Sequence, residues 1–267
     1  MLRCASLAAC ALLAAVAPAA AQVPDHPAMR DRFYVGAGVF FPQTTTEGQL
    51  DSNRVGAGTS IDFEQSLDMA RSKTVPTFFG RWRFGERWRL DAEYFELNRT
   101  GERTTDRDIQ WGELSIPAGS GVTSRFDFSD LRVSVGYSFF RTQDKELGVG
   151  FGLHAASYDV TLSTRTQGGD GEDVLAPLPV ISVYGQFALT ERWAVGSRLD
   201  RFSLSYDKYD GSLTSLALDL TYQPFRHVGF GAGYRGLFIR MEASGDRATL
   251  RFRQTFEGPL LFVNASF

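Results

Sequence analysis

Cysteine is nearly missing from this chain. Its 267 residues hold two, Cys4 and Cys10. Both lie in an N-terminal stretch, "MLRCASLAACALLAAVAPAAAQ", that reads as a cleaved secretory leader over 1–21. Arg3 opens it, an apolar core follows, and Ala19-Ala20-Ala21 precede the expected cut before Gln22. Leu7-Ala8-Ala9-Cys10 has the form of a lipoprotein box, but ten more mostly apolar residues follow that cysteine, which suits the plain leader. A mature chain without cysteine excludes disulfides and thiolate metal sites. Long hydrophobic runs are missing as well. Beyond the leader nothing approaches the roughly eighteen apolar residues of a transmembrane helix. Histidine is scarce, with three scattered residues at 26, 154 and 227, so no metal cluster is expected and no cofactor motif stands out. The acidic stretch "GDGED" (169–173) misses the EF-hand spacing. Nor is there excess positive charge. Without Arg3, 27 basic side chains face 31 acidic ones, which offers nucleic acid no electrostatic reason to bind.

What the chain does have is alternation. Aromatics make up 13% of it, with 22 phenylalanines and 27 glycines. Apolar residues repeat at every second position in segment after segment, the period of a β-strand with two unlike faces. "RFYVGAGVFF" (32–41) sets Phe33, Val35, Ala37, Val39 and Phe41 on one side. "VPTFFGRWRF" (75–84) opposes Phe78, Trp82 and Phe84 to Arg81 and Arg83. "WRLDAEY" (88–94) opposes Trp88, Leu90, Ala92 and Tyr94 to Arg89, Asp91 and Glu93. The same pattern recurs over 130–140, 146–155, 177–189, 193–200, 213–223, 227–239 and about 248–267. That predicts ten strands, with eight or twelve as alternatives. Val23 to Arg30 reads as an unstructured lead-in (22–31), and no second domain or internal repeat is visible in 32–267.

The connections alternate too. Those at 85–87, 142–145, 190–192 and 224–226 are tight, and those between them are variable, the longest covering 42–73 and 100–123. Tight turns at one end and loops at the other are the pattern of an all-β, up-and-down antiparallel transmembrane β-barrel. Trp82, Phe84, Trp88, Tyr137, Phe139, Trp193, Tyr222 and Phe267 cluster beside the tight turns, where an interfacial girdle would lie. A water-soluble β-sandwich would show the same alternation, but its solvated face would be less rich in glycine.

The terminal Phe267, with Val263 and Leu261 on its parity, resembles the C-terminal signal by which the barrel-assembly machinery recognises outer-membrane proteins. With the leader and ten strands, the mature chain resembles the small bacterial outer-membrane β-barrel superfamily. The segments "WRFGERWRLDAEYF" and "YDGSLTSLALDLTYQPF" are similar to a proteobacterial group of outer-membrane proteins. The resemblance implies a monomeric barrel in outer-membrane lipid, with the assembly machinery as a partner during biogenesis. It implies no activity.

With the apolar parity assigned to lipid, the other parity points inward. It holds Arg81, Arg83, Arg89, Asp91, Glu93, Asp130, Arg132, Arg198, Asp200, Asp219 and Arg235. Charges of both signs in a narrow lumen are expected to pair and fill it; a gated polar path is the alternative. Towards the loop end the apolar parity flips. Phe95, Leu97, Phe126, Phe128, Phe202 and Leu204 share parity with lumen charges, Phe252 and Phe256 share it with Asn264, and together they outline a candidate apolar pocket. Bulges would undo that inference, and packing against the long loops is the plainer reading. An enzyme is not expected. Asp170, Glu172, Asp173, Asp207 and Asp210 could sit at the loop-end rim, but no histidine accompanies them. His154 and Ser157 have opposite parity, so a regular strand separates them. The sequence therefore points to a structural or surface-interaction role, with a narrow channel or a pocket for hydrophobic solutes as the alternative.

Overall fold

Strand-length alternation, repeated with tight turns, curls the chain into a closed sheet. The computed structural model describes residues 26–267 apart from 53, 55, 112–113, 165–169, 207–208 and 245–247. The expected leader, and residues 22–25 of the lead-in, lie outside the described residues. In chain order the elements are α1 (Pro27–Arg30), β1 (Phe33–Phe40), β2 (Gln43–Ser52), β3 (Ile61–Asp62), α2 (Phe63–Ser66), β4 (Val75–Phe84) and β5 (Trp88–Thr104). There follow β6 (Ile109–Trp111), β7 (Leu114–Ile116), β8 (Gly121–Arg141), β9 (Lys145–Thr164) and β10 (Asp170–Ala188). The chain ends with β11 (Trp193–Tyr206), β12 (Tyr209–Tyr222), β13 (Val228–Ser244) and β14 (Ala248–Ser266).

Ten strands close the barrel in the order β1-β4-β5-β8-β9-β10-β11-β12-β13-β14, and β1 pairs back onto β14. All these pairings are antiparallel. The terminal residue takes part in the closure: Phe33 and Phe267 exchange two backbone hydrogen bonds of 2.9 Å. β2 carries the line of β1 onward past Pro42, pairing with the loop-end half of β14 from Gln43↔Glu257 to Ser52↔Ala248. Proline has no N–H to give a ladder, which explains the break.

The register runs unbroken through most of the barrel. Among the described residues its one shift lies between Tyr137 and Phe140, beside a tight turn. Parity flips only at that shift, where Phe139 and Phe140 are both exposed; elsewhere what changes along the strands is which face is apolar. In β14, Leu261 and Val263 point outward and are half exposed, while Leu260 and Phe262 point inward and are buried. Further along the same parities, Arg251 and Arg253 point outward while Gln254 and Phe256 are buried. The outer face is thus an apolar belt, with Phe151 at 65% and Ile181 at 66% exposure, topped by polar walls. Rings gather at the turn end: Trp82 with Phe84, Trp88 with Tyr137 and Trp193 with Tyr222 have centroids 5.3, 5.1 and 4.7 Å apart.

Both mouths hold pieces of the chain. At the turn end the lead-in is not unstructured. Pro27 opens a single helical turn capped by His26, whose Nδ1 accepts from Ala28 N–H at 3.1 Å. His26, Ala28 and Met29 are buried. Arg141 reaches in from the rim and donates to the Met29 carbonyl at 2.9 Å. At the loop end β4 stops at Val75, whereas β5 runs on to Thr104. The segment expected as a surface loop enters that gap. Ile61, Phe63, Leu67 and Met69 are all buried inside the barrel mouth.

Candidate functional site

Two layers fill the inside, an ionic one across the belt and an aromatic one above it. The ionic layer arises because every second residue of each strand must face a lumen shielded from water, where an unpaired charge is costly. Arg81 and Arg89 both hold Asp91, at 2.9 and 2.8 Å. Arg83 meets Glu146 at 2.7 Å. Glu93 is gripped by Arg198 at 2.7 Å and Arg235 at 2.8 Å, and Arg235 also reaches Asp219 at 2.7 Å. Arg132 meets Asp200 at 2.7 Å, and His154 Nδ1 lies 2.8 Å from Asp130. The eleven residues expected to face the lumen thus lie in two clusters, one built on Asp91 and Glu146 and one on Glu93 and Asp200. Six arginines stand against Asp91, Glu93, Asp130, Glu146, Asp200 and Asp219, so their formal charges cancel.

Three members escaped the sequence reading. Glu146 shares parity with inward Gly148 and was legible there. Gln186 accepts from Arg81 Nη1 at 2.6 Å. Tyr184 lies under the Arg89 guanidinium, 3.2 Å from its ring centroid. A Cβ on Gly148 would stand 2.2 Å from the Tyr184 ring, so the glycine is there to admit the ring.

Above the charges lies the chamber. Phe95, Leu97, Phe126, Phe128 and Phe256 are buried, with Phe128 and Phe256 stacked at 4.7 Å. Phe202 and Phe252 are half-buried and pack onto this cluster. Leu204 stays apart at the rim, 48% exposed. The chamber is filled by the chain itself: Phe63 meets Phe126 edge-on at 6.0 Å, with Ile61, Leu67 and Met69 in the same cluster. Glu64 fastens this plug. Its carboxylate lies 2.5 Å from Arg99 Nη1 and accepts from the Thr46 N–H at 2.8 Å, while Arg99 Nη2 donates to Thr46 Oγ1 at 2.7 Å. A cavity of about 30 Å³ separates the layers, floored by Asp130, Arg132 and His154 and roofed by Phe40, Phe95 and Leu237.

His154 therefore sits in the ionic layer and not at the rim, and His26 and His227 belong to the turn end. The side chains of Asp170, Glu172, Asp173 and Asp207 lie outside the described residues. Asp210 lines a groove of about 300 Å³ at the loop end with Arg240 and Arg251. Among the described residues no group of three His, Cys, Asp or Glu side chains could hold a metal ion. Leu261, Val263 and Phe267, expected as the assembly signal, stand exposed on the outer face.

No known protein family and no curated protein matches the sequence. Solved structures do match. The outer membrane protease OmpT from Escherichia coli is similar over 88% of this chain and 97% of its own, with 9% identity and a TM-score of 0.58. Neisserial surface protein A covers 88% of this chain and 97% of its own, at 15% identity and a TM-score of 0.32. The Pseudomonas putida toluene transporter TodX covers 91% and 93%, at 11% and 0.35. At 9% identity the likeness to OmpT shows the fold alone, that of an outer-membrane β-barrel.

Proposed function

We propose that this chain is an integral protein of the bacterial outer membrane, with its tight turns periplasmic and its polar walls standing outside the cell. In this reading it has a structural or surface-interaction role and is not an enzyme. The observation that carries it is the contrast between faces. The belt is apolar outside and ionic inside, whereas the projecting walls are polar outside and packed with rings inside. An apolar belt suits hydrocarbon, and polar walls suit water and extracellular partners. Six arginines balanced by six carboxylates, with a plug at each mouth, suit a filled interior better than a conduit. Lipid is the permanent partner, the exposed C-terminal parity suits the assembly machinery, and the monomer is the working unit.

Planar-bilayer recording on refolded protein tests this. The expected result is no steady conductance in the wild type. A steady single-channel opening, widened or abolished by Arg132→Ala or Arg198→Ala, would overturn the filled-barrel reading in favour of a narrow channel.

A further inference from the structure

The loop-end chamber holds polar atoms that the plug does not satisfy. Gln254 is fully buried, and neither its amide nitrogen nor its oxygen has a hydrogen-bond partner among the described residues. The same is true of the Tyr158 hydroxyl, Arg99 Nε and Thr44 Oγ1. Buried polar groups in native proteins are seldom left unpaired. These cluster where the plug docks: Gln254 stands directly opposite Thr46 in the β14–β2 register, and Thr46 holds Glu64. A second fact concerns the plug's own chemistry. Phe63-Glu64 presents an aromatic body next to a carboxylate. The carboxylate is received by a guanidinium and a backbone N–H, a pairing well suited to recognise one carboxyl group.

We propose that the chamber is a binding site for a hydrophobic monocarboxylate, and that Phe63-Glu64 is its built-in stand-in. The ligand's carboxylate takes the place of Glu64 on Arg99 and the Thr46 N–H, beside the unpaired Gln254 amide. Its apolar body takes the place of Phe63 against Phe126. Charge selects the class. Withdrawal of Glu64 leaves Arg99 buried without its anion, a state that a carboxylate repairs and a hydrocarbon or an alcohol does not. The plug is held lightly enough to exchange. α2 is a single turn and β3 pairs with β2 over two residues only, so backbone pairing adds little; the main anchors are the Glu64 carboxylate on Arg99 and the Phe63 ring on Phe126, the two contacts that the ligand replaces. Segments with so few ladder bonds open locally at low cost. This site goes beyond the surface role and does not depend on it.

The test uses the full chain in phospholipid vesicles with a diazirine-bearing decanoic acid, and the matching decanol as comparator. After photolysis, labelled peptides are mapped by mass spectrometry, and heat-dependent migration in SDS reports the folded barrel. The acid is expected to label β8 and β14 around Phe126 and Phe256 saturably, in competition with plain decanoate, while the alcohol labels only the outer belt. Glu64→Ala removes the internal competitor and is expected to tighten apparent binding about tenfold, and Arg99→Leu to abolish saturable labelling. Labelling confined to the belt, or equal chamber labelling by the alcohol, overturns the proposal. So does saturable labelling that survives in folded Arg99→Leu protein. Should that variant not fold, the acid–alcohol comparison and Glu64→Ala decide alone. Conductance plays no part in this outcome, so the filled-barrel reading stands or falls separately.

Discussion

Arg132 and Asp200 lie 68 residues apart in the chain, yet inside the barrel Arg132 Nε donates to Asp200 Oδ2 at 2.7 Å, with both side chains buried. The same carboxylate holds Arg198 at 3.1 Å and lies 3.6 Å from His154 Nε2. Asp200 is therefore a shared anion; its removal strands Arg132, while Arg198 keeps Glu93 and His154 keeps Asp130.

Asp200→Ala is expected to destabilise the barrel by about 3–5 kcal/mol, the usual penalty for a buried charge that loses its partner. Arg132→Met should cost less, because Asp200 keeps Arg198. Urea unfolding in vesicles checks both. Equal losses would mean that the network does not converge on Asp200.

The belt makes a depth-dependent prediction. Ile181→Arg puts a cation on a strongly exposed part of the apolar face, and should cost about 2–4 kcal/mol in a bilayer. Thr123→Arg, on the polar wall of β8, should be close to neutral. The same urea titration decides, and a neutral Ile181→Arg would remove this face from lipid.

Gly101 sits where the plug presses against β5. A Cβ there would stand 2.2 Å from the Leu67 carbonyl oxygen, so Gly101→Ala must push the plug's backbone away. The expected outcome is faster proteolytic cleavage within 61–74, with heat-dependent migration of the barrel unchanged. Cleavage at the wild-type rate would show that the plug yields without leaving.

The turn-end plug should respond to pH. Burial pulls His26 below its ordinary value of 6.5, against the opposing effects of the Arg192 carbonyl and Asp31. The docked lead-in then binds fewer protons than the free one between the lowered value and 6.5. Docking is complete above about 6.5 and weakens as pH falls towards the docked value. The protection factor against hydrogen exchange at the Asp31 N–H, which donates to the Pro27 carbonyl at 2.8 Å, should fall between pH 7.5 and 5. His26→Asn should flatten that dependence.

Much of this architecture was legible. The alternation over 75–84 matches β4 end for end, and the tight connections fall where turn residues and a change of parity coincide. The loop-end halves of the strands were harder to see. The reading over 130–140 covers only half of β8, because an apolar outer face was the mark of a strand and that mark ends with the belt. The swap was nonetheless present: Phe126 and Phe128 share parity with inward Asp130. The plug was not legible. Ile61, Phe63, Leu67 and Met69 share one parity, but Gln65 interrupts it and the helical turn Phe63–Ser66 cuts across it, and their burial depends on a gap that exists only because β4 is shorter than β5. For the same reason Glu64 looked like one more acid in a polar loop.

Parity by itself determined which side chains would face outward and which inward, because a strand allows two faces only and the chain segregates its grease and its charge between them. It also implied a closed sheet, since so many inward charges need one another for company. Only the folded barrel decided who meets whom. Glu93 is held by Arg235 from 142 residues away, and such a pairing follows from the stagger with which ten strands close on themselves, a property of the whole cylinder that no local pattern encodes.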